Sequence, residues 1–121
     1  IFTDPQVAGV GMDEQQAKDA GIDVDTAKLS LEHVPRSIAA RDTRGFIKLI
    51  RNKANDRLVG ARILAPEGSE LLMELSLAIR HGIPVESLQS ELHPYLTLSE
   101  GIKLAAITFG KDVGKLSCCA T

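Results

Sequence analysis

The clearest pattern in the chain is a pair of short runs rich in apolar residues, 45–51 and 57–64, separated by the polar run Asn52-Lys53-Ala54-Asn55-Asp56. Two such runs with a polar turn between them predict an antiparallel hairpin. Residues 25–34 alternate, with Ala27, Leu29, Leu31 and His33 on one side and Thr26, Lys28, Ser30 and Glu32 on the other. This predicts a third strand running to Pro35, followed by an extended or looped crossing over residues 36–43. Val7, Gly9, Val10 and Gly11 predict a short strand, where two glycines suggest close backbone approach or a bend. Between these strands, Asp13 is placed to cap a helix with Glu14 in its first turn and Gly21 beyond its end.

The second half changes period. Leu71, Leu72, Leu75, Ala78 and Ile79 make one face of a helix over residues 69–80, and Met73 and Leu77 widen it beyond a simple stripe. A helix apolar on more than one side needs more than one cover: the sheet is the first and a second subunit the expected other. Gly82 ends that helix, and Pro84 suits the first turn of a short helix through Ser90. Thr97-Leu98-Ser99-Glu100 has the spacing of a capping box, in which the Thr97 hydroxyl accepts from the Glu100 N–H and the Glu100 carboxylate accepts from the Thr97 N–H. The helix it opens carries Ile102, Ala105, Ala106 and Phe109 as one stripe and is expected to stop at Gly110. The fold class is therefore α+β, an antiparallel sheet of four to five strands with helices packed on one face. Residues 1–110 form the domain and residues 111–121 a flexible tail.

At 121 residues the chain is one domain. Its net charge of −2 gives no reason to expect nucleic acid as a partner, and no apolar run approaches the ~18 residues of a membrane span. The start at Ile1 without a methionine reads as an excised domain or the end of a longer protein. Two adjacent cysteines make no disulfide framework, so the reducing cytoplasm is the expected compartment.

Those cysteines, Cys118 and Cys119, are the sharpest chemical signal. Thiolates are soft ligands, and two on neighbouring residues of a tail can both reach one linear-coordinating ion such as mercury(II). Lys111 and Lys115 nearby favour the thiolate. A disulfide between neighbours closes a small strained ring, which leaves a metal or redox role against incidental tail cysteines. Pro94 holds the chain extended, so His93 and Tyr95 project from a stiff segment before a helix. Tyr95 reads either as an interfacial aromatic or as a phenol that steers an ion. His93 reads as a loop residue with a hydrogen bond, and Glu100 is accounted for by its cap. His33 and His81 lack a second ligand at any metal spacing and are structural. The Gly9-Val10-Gly11 pair has Glu14 where a dinucleotide fingerprint needs its third glycine, and no βαβ unit follows, so that fingerprint is rejected.

The segment 92–100 also carries a resemblance. It is similar to the C-terminal dimerisation domain of the pyridine nucleotide–disulfide oxidoreductases, the flavoenzyme family of glutathione reductase and lipoamide dehydrogenase. Their signature is His-Pro-Thr-x-x-Glu, whose His and Glu complete the partner subunit's active site. Thr97 to Glu100 matches the Thr-x-x-Glu half, but the His position holds Tyr95. With the Cys118-Cys119 tail, that Tyr resembles the branch of the family that reduces mercury(II), as do the opening residues 1–8 and residues 65–71. The resemblance implies a homodimer, with NADPH and FAD bound by other parts of a full-length enzyme. It implies mercury(II) as the substrate ion, exchanged with small-molecule thiols. The implied catalytic residues are Tyr95 and, more weakly, Glu100 and His93, the last near a second histidine of some lipoamide dehydrogenases. The implied metal ligands are Cys118 and Cys119, which collect the ion and pass it to the other subunit. Losing the acid–base His argues against glutathione or lipoyl substrates, since reducing a metal ion needs no proton for a leaving thiolate. This chain alone lacks a redox disulfide and nucleotide domains and is expected to be inactive. Two other readings stay open: the same domain from a lipoamide-dehydrogenase-like enzyme, and a free-standing thiol module that binds metal.

Overall fold

The computed structural model describes residues 1–113. Strand β1 (Gln6–Gly11) leads into the short helix α1 (Glu14–Asp19), followed by β2 (Val24–Ser30) and helix α2 (Pro35–Ala39). The hairpin β3 (Phe46–Asn52) and β4 (Arg57–Ala65) comes next, then α3 (Gly68–Arg80), α4 (Val85–Ser90) and α5 (Glu100–Ile107). The strands form one four-stranded antiparallel sheet in the order β1-β4-β3-β2.

Register explains the layers. Leu29, Ile47, Ile63 and Ala8 sit side by side across all four strands, and every one is buried. Against this face pack Leu71, Leu75 and Ala78 of α3 and Ile102, Ala105 and Ala106 of α5. The alternate row, Lys28, Lys48 and Arg62, lies on the other face. There Lys48 pairs with Glu14 of α1, and the Lys28 ammonium sits 4.3 Å from the centre of the Phe46 ring. Two glycines are demanded by this packing. A Cβ on Gly60 would lie 1.8 Å from the Met12 carbonyl oxygen, where the chain leaving β1 crosses β4. A Cβ on Gly101 would lie 2.9 Å from Ile47 Cδ1, so α5 sits close against the sheet.

The fold class is as expected, and three expectations about its parts change. The strand expected over 25–34 ends at Ser30, whose hydroxyl accepts from the Glu32 N–H at 3.3 Å and caps a 3-10 turn, Leu31–His33. That turn brings Leu31 and Val34 inward together and leaves His33 exposed rather than facing the core. The crossing over 36–43 contains α2, with Pro35 in its first turn where a missing N–H costs nothing. Helix α5 ends at Ile107, not Gly110. Thr108 closes it, its hydroxyl donating to the Ala105 carbonyl at 2.7 Å and its N–H shared between two carbonyls. Beyond α5, Val113 packs against the core cluster.

Candidate functional site

Helix α3 is covered by the sheet on one side only. Leu71, Leu75 and Ala78 are buried, while Met73 is 60% and Leu77 48% exposed. The strip that precedes α5 extends this apolar surface. Leu77, Leu92 and Pro94 line one shallow groove with Ile83 and Leu88, and Leu92 and Tyr95 stand 88% and 71% exposed. Met73, Leu77, Leu92 and Tyr95 are thus large apolar side chains left open on one region of the domain. Scattered exposed apolar residues are ordinary, but a patch built on a helix and a projecting strip marks a partner surface.

The strip is held at both ends. Behind Tyr95, the Glu100 N–H donates to the Thr97 hydroxyl at 3.2 Å, as the capping box requires. The reciprocal half differs from expectation: the Glu100 carboxylate accepts from the Leu96 N–H at 3.2 Å, not from Thr97. The shift arises because Leu96 takes a left-handed conformation (φ 62°) that turns its N–H back toward the helix. Glu100 is buried in this role. The Thr97 hydroxyl also donates to the Pro94 carbonyl at 2.8 Å, closing a tight turn around Tyr95 and Leu96. The Tyr95 side chain itself points into open space.

Ahead of Tyr95 the anchor is His93. Its side chain is only 7% exposed, and Nε2 lies 2.7 Å from Glu74 Oε1 on α3. A carboxylate offers acceptors alone, so Nε2 carries the proton and donates. Nδ1 lies 3.4 Å from the Glu91 carbonyl oxygen, a long contact. With Nε2 committed to Glu74, His93 is poorly placed to ligate an ion. Glu74 is the residue that sequence reasoning missed. It lies on the flank of the α3 stripe, three residues from Leu71, and nothing local distinguishes it from any other surface carboxylate.

Cys118 and Cys119, with Lys115, lie outside the described residues. Among the described residues there is no cluster of His, Cys, Asp and Glu that could hold a metal ion, and no helix is long and apolar enough to cross a membrane. His33 and His81 are exposed and far apart in the fold's order, one in the 3-10 turn and one ending α3. Gly9 and Gly11 both lie in strand β1, and the helix that follows is capped from within. Asp13 Oδ1 already accepts from the Gln16 N–H at 2.7 Å, so the first turn of α1 is capped by an anion of its own.

Three kinds of similarity bear on this arrangement. Residues 1–106 match the family model described as pyridine nucleotide-disulphide oxidoreductase, dimerisation domain. The chain is 55% identical over 120 residues to a mercuric reductase of Shewanella putrefaciens and 52% identical to one of Shigella flexneri, covering 99% of this chain in each case. It spans about a fifth of the length of those relatives, 22% and 21%. Among solved structures, the Cu(II) complex of the HOCl-induced flavoprotein disulfide reductase RclA from Escherichia coli superimposes with a TM-score of 0.84 at 27% identity, covering 91% of this chain and 25% of that one. LpdA from Mycobacterium tuberculosis gives 0.82 at 27% identity, covering 91% and 24%.

Proposed function

The chain belongs to the dimerisation-domain family of the pyridine nucleotide–disulfide oxidoreductases, and from that premise we propose that it is the dimerisation and metal-delivery domain of a mercury(II) reductase. The observation that carries the proposal is the pairing of Tyr95, at the family's His position, with the Cys118-Cys119 tail, in a chain half identical to mercuric reductases over its full length. Two copies associate through Met73, Leu77, Leu92 and Tyr95, an isologous contact in which each strip lies against its partner's face. In that arrangement Tyr95, exposed on a turn braced by Thr97 and Glu100, meets the other subunit's reaction site. Its phenol steers the ion or its thiolate ligands.

NADPH and FAD belong to the remainder of the full-length enzyme and supply the electrons that take Hg(II) to Hg(0). No step is assigned to the residues here through either cofactor. The tail's step is ligand exchange without redox change. One Cys thiolate attacks a mercury(II) held by two solvent thiols and expels the first as thiolate. The neighbouring Cys expels the second, and the ion passes on by the same exchange to thiols of the partner.

The test is mercury(II) turnover by the full-length enzyme with excess small-molecule thiol. Cys118→Ala/Cys119→Ala is expected to lower kcat/KM at least about tenfold, and Tyr95→Phe to lower kcat by about tenfold, each of which corresponds to ~1.4 kcal/mol of barrier. Parental kinetics in both variants would leave only the dimerisation role.

A further inference from the structure

We propose that His93 and Glu74 form a positioning device for Tyr95, pinning the strip to α3 so that the phenol is presented at a fixed place on the apolar face. The inference rests on the role of Tyr95 given above, and its test separates the two. The strip has little else to hold it from the front. Leu92, Tyr95 and Leu96 are all exposed, and Pro94 can donate no backbone hydrogen bond. Among the described residues, the bond between His93 Nε2 and Glu74 Oε1 at 2.7 Å is the one hydrogen bond from residues 92–99 to an element distant in sequence. Every other polar contact of the strip is local: Glu91 with Leu92 and His93, Pro94 with Thr97, and Glu100 with Leu96 and Thr97.

The two anchors divide the work. Thr97 and Glu100 tie the turn behind Tyr95 to the start of α5, and neither bonds to α3. His93 sets the position relative to α3, because Glu74 sits on a helix whose other face is locked into the core through Leu71 and Ala78. An imidazole with 7% of its side chain exposed, donating to a carboxylate that is itself only 32% exposed, makes a charge-assisted bond partly shielded from water. Lys103 steadies the start of the strip by donating to the Glu91 carbonyl at 2.9 Å. Without His93 the strip would hinge about the residues before Thr97, and Tyr95 would wander over the face it needs to complete. His93 therefore acts through Tyr95 and does not touch the ion.

Amide hydrogen exchange on the full-length dimer without mercury reads the device directly. In His93→Ala, exchange in residues 92–96 is expected to quicken about tenfold or more while α3 and the sheet stay as in the parent. His93→Gln, whose amide N–H can still donate to Glu74, should restore most of the protection. In mercury(II) turnover His93→Ala should lower kcat about tenfold, and that loss should vanish in a Tyr95→Phe background, since nothing remains to be positioned. Unchanged exchange at 92–96 overturns the device whatever the kinetics. Faster exchange spread evenly through the domain makes His93 a general stability residue and overturns it too. Loss of one limb of the pH–rate profile in His93→Gln, with exchange at the parental rate, would assign His93 to proton transfer instead. Parental kinetics for Tyr95→Phe would overturn the reading of Tyr95, and that failure is distinguishable because the exchange result does not depend on mercury.

Discussion

The face of the sheet under α3 and α5 and the strip before α5 are built on opposite terms. Beneath the helices, Leu29, Ile47, Ile63 and Ala8 meet Leu75 and Ile102 in a continuous apolar layer, all of them buried. Such contact is non-directional and spread over many side chains. The strip has Leu98 in the core cluster's company and otherwise hangs from single hydrogen bonds with large side chains in solvent. The first region can lose a contact and keep its shape, provided backbone distances hold. The second can keep its fold and lose its geometry when one bond breaks. Stability is concentrated in the first, and the proposed chemistry in the second, where partner and substrate can reach.

The largest effect should come from breaking a backbone distance in the layered region. Gly60→Ala would place a methyl 1.8 Å from the Met12 carbonyl oxygen. No rotamer change relieves a clash with backbone, so β1 and β4 must part where they pair Gly11 with Gly60. We expect a loss of about 3 kcal/mol or more in denaturant unfolding. A loss below about 1 kcal/mol would mean that the crossing after β1 is slack.

The open side of α3 should give a smaller effect, in association and not in folding. Leu77→Glu puts a carboxylate on a position that is 48% exposed in the single chain, so the monomer core is spared. If Leu77 is covered in the dimer, burying an unpaired charge there costs roughly 2–3 kcal/mol, or about a hundredfold in the dimer dissociation constant. Sedimentation across a concentration series reads this. An unchanged dimer would place the interface elsewhere.

The contrast between the regions also explains what could be read in advance. The hairpin, α3 and the apolar stripe of α5 follow from the pattern of apolar residues because burial imposes that pattern on the sequence. The misread parts are those where a hydroxyl or a proline acts over one turn. Ser30 ends β2 by capping the next turn, Pro35 starts α2 instead of merely ending a strand, and Thr108 closes α5 before its glycine. At the site, the proposal of Tyr95, Glu100 and the cysteines comes from local spacing and resemblance, and the cysteines lie outside the described residues. The Leu96 N–H as Glu100's partner was not legible, because it depends on a left-handed residue that spacing does not announce. Nor was Glu74, since a bond between residues 19 apart in sequence leaves no pattern along the chain.

The smallest effect concerns a polar tie that serves the layered region rather than the strip. Arg51 donates from Nε to Asp25 Oδ1 at 3.0 Å and from Nη2 to Oδ2 at 2.6 Å, and from Nη1 to Asp56 Oδ1 at 3.1 Å. Its guanidinium also lies 4.2 Å from the centre of the Phe109 ring, so it ties β2, the hairpin turn and the chain beyond α5 together. The fork on Asp25 holds that carboxyl below its ordinary value of 3.8, with partial burial opposing. A carboxyl with a lowered folded pKa binds fewer protons folded than unfolded. Its stabilisation is therefore complete above about pH 4 and is lost as pH falls below 3.8 through the folded value. Asp25→Asn should cost less than about 1 kcal/mol near neutrality, because the carboxylate is 35% exposed and screened and Arg51 keeps Asp56. It should also make the acid limb of the stability curve shallower without abolishing it. Glu14, beside Lys48, and Asp42, beside Arg44, are lowered in the same sense and continue to titrate. Urea unfolding at several pH values between about 2.5 and 7 would show the two curves converging toward the acid end. Parallel curves over that range would mean that the Arg51 fork contributes the same in both protonation states, and that packing on Phe109, not charge, is what Arg51 supplies.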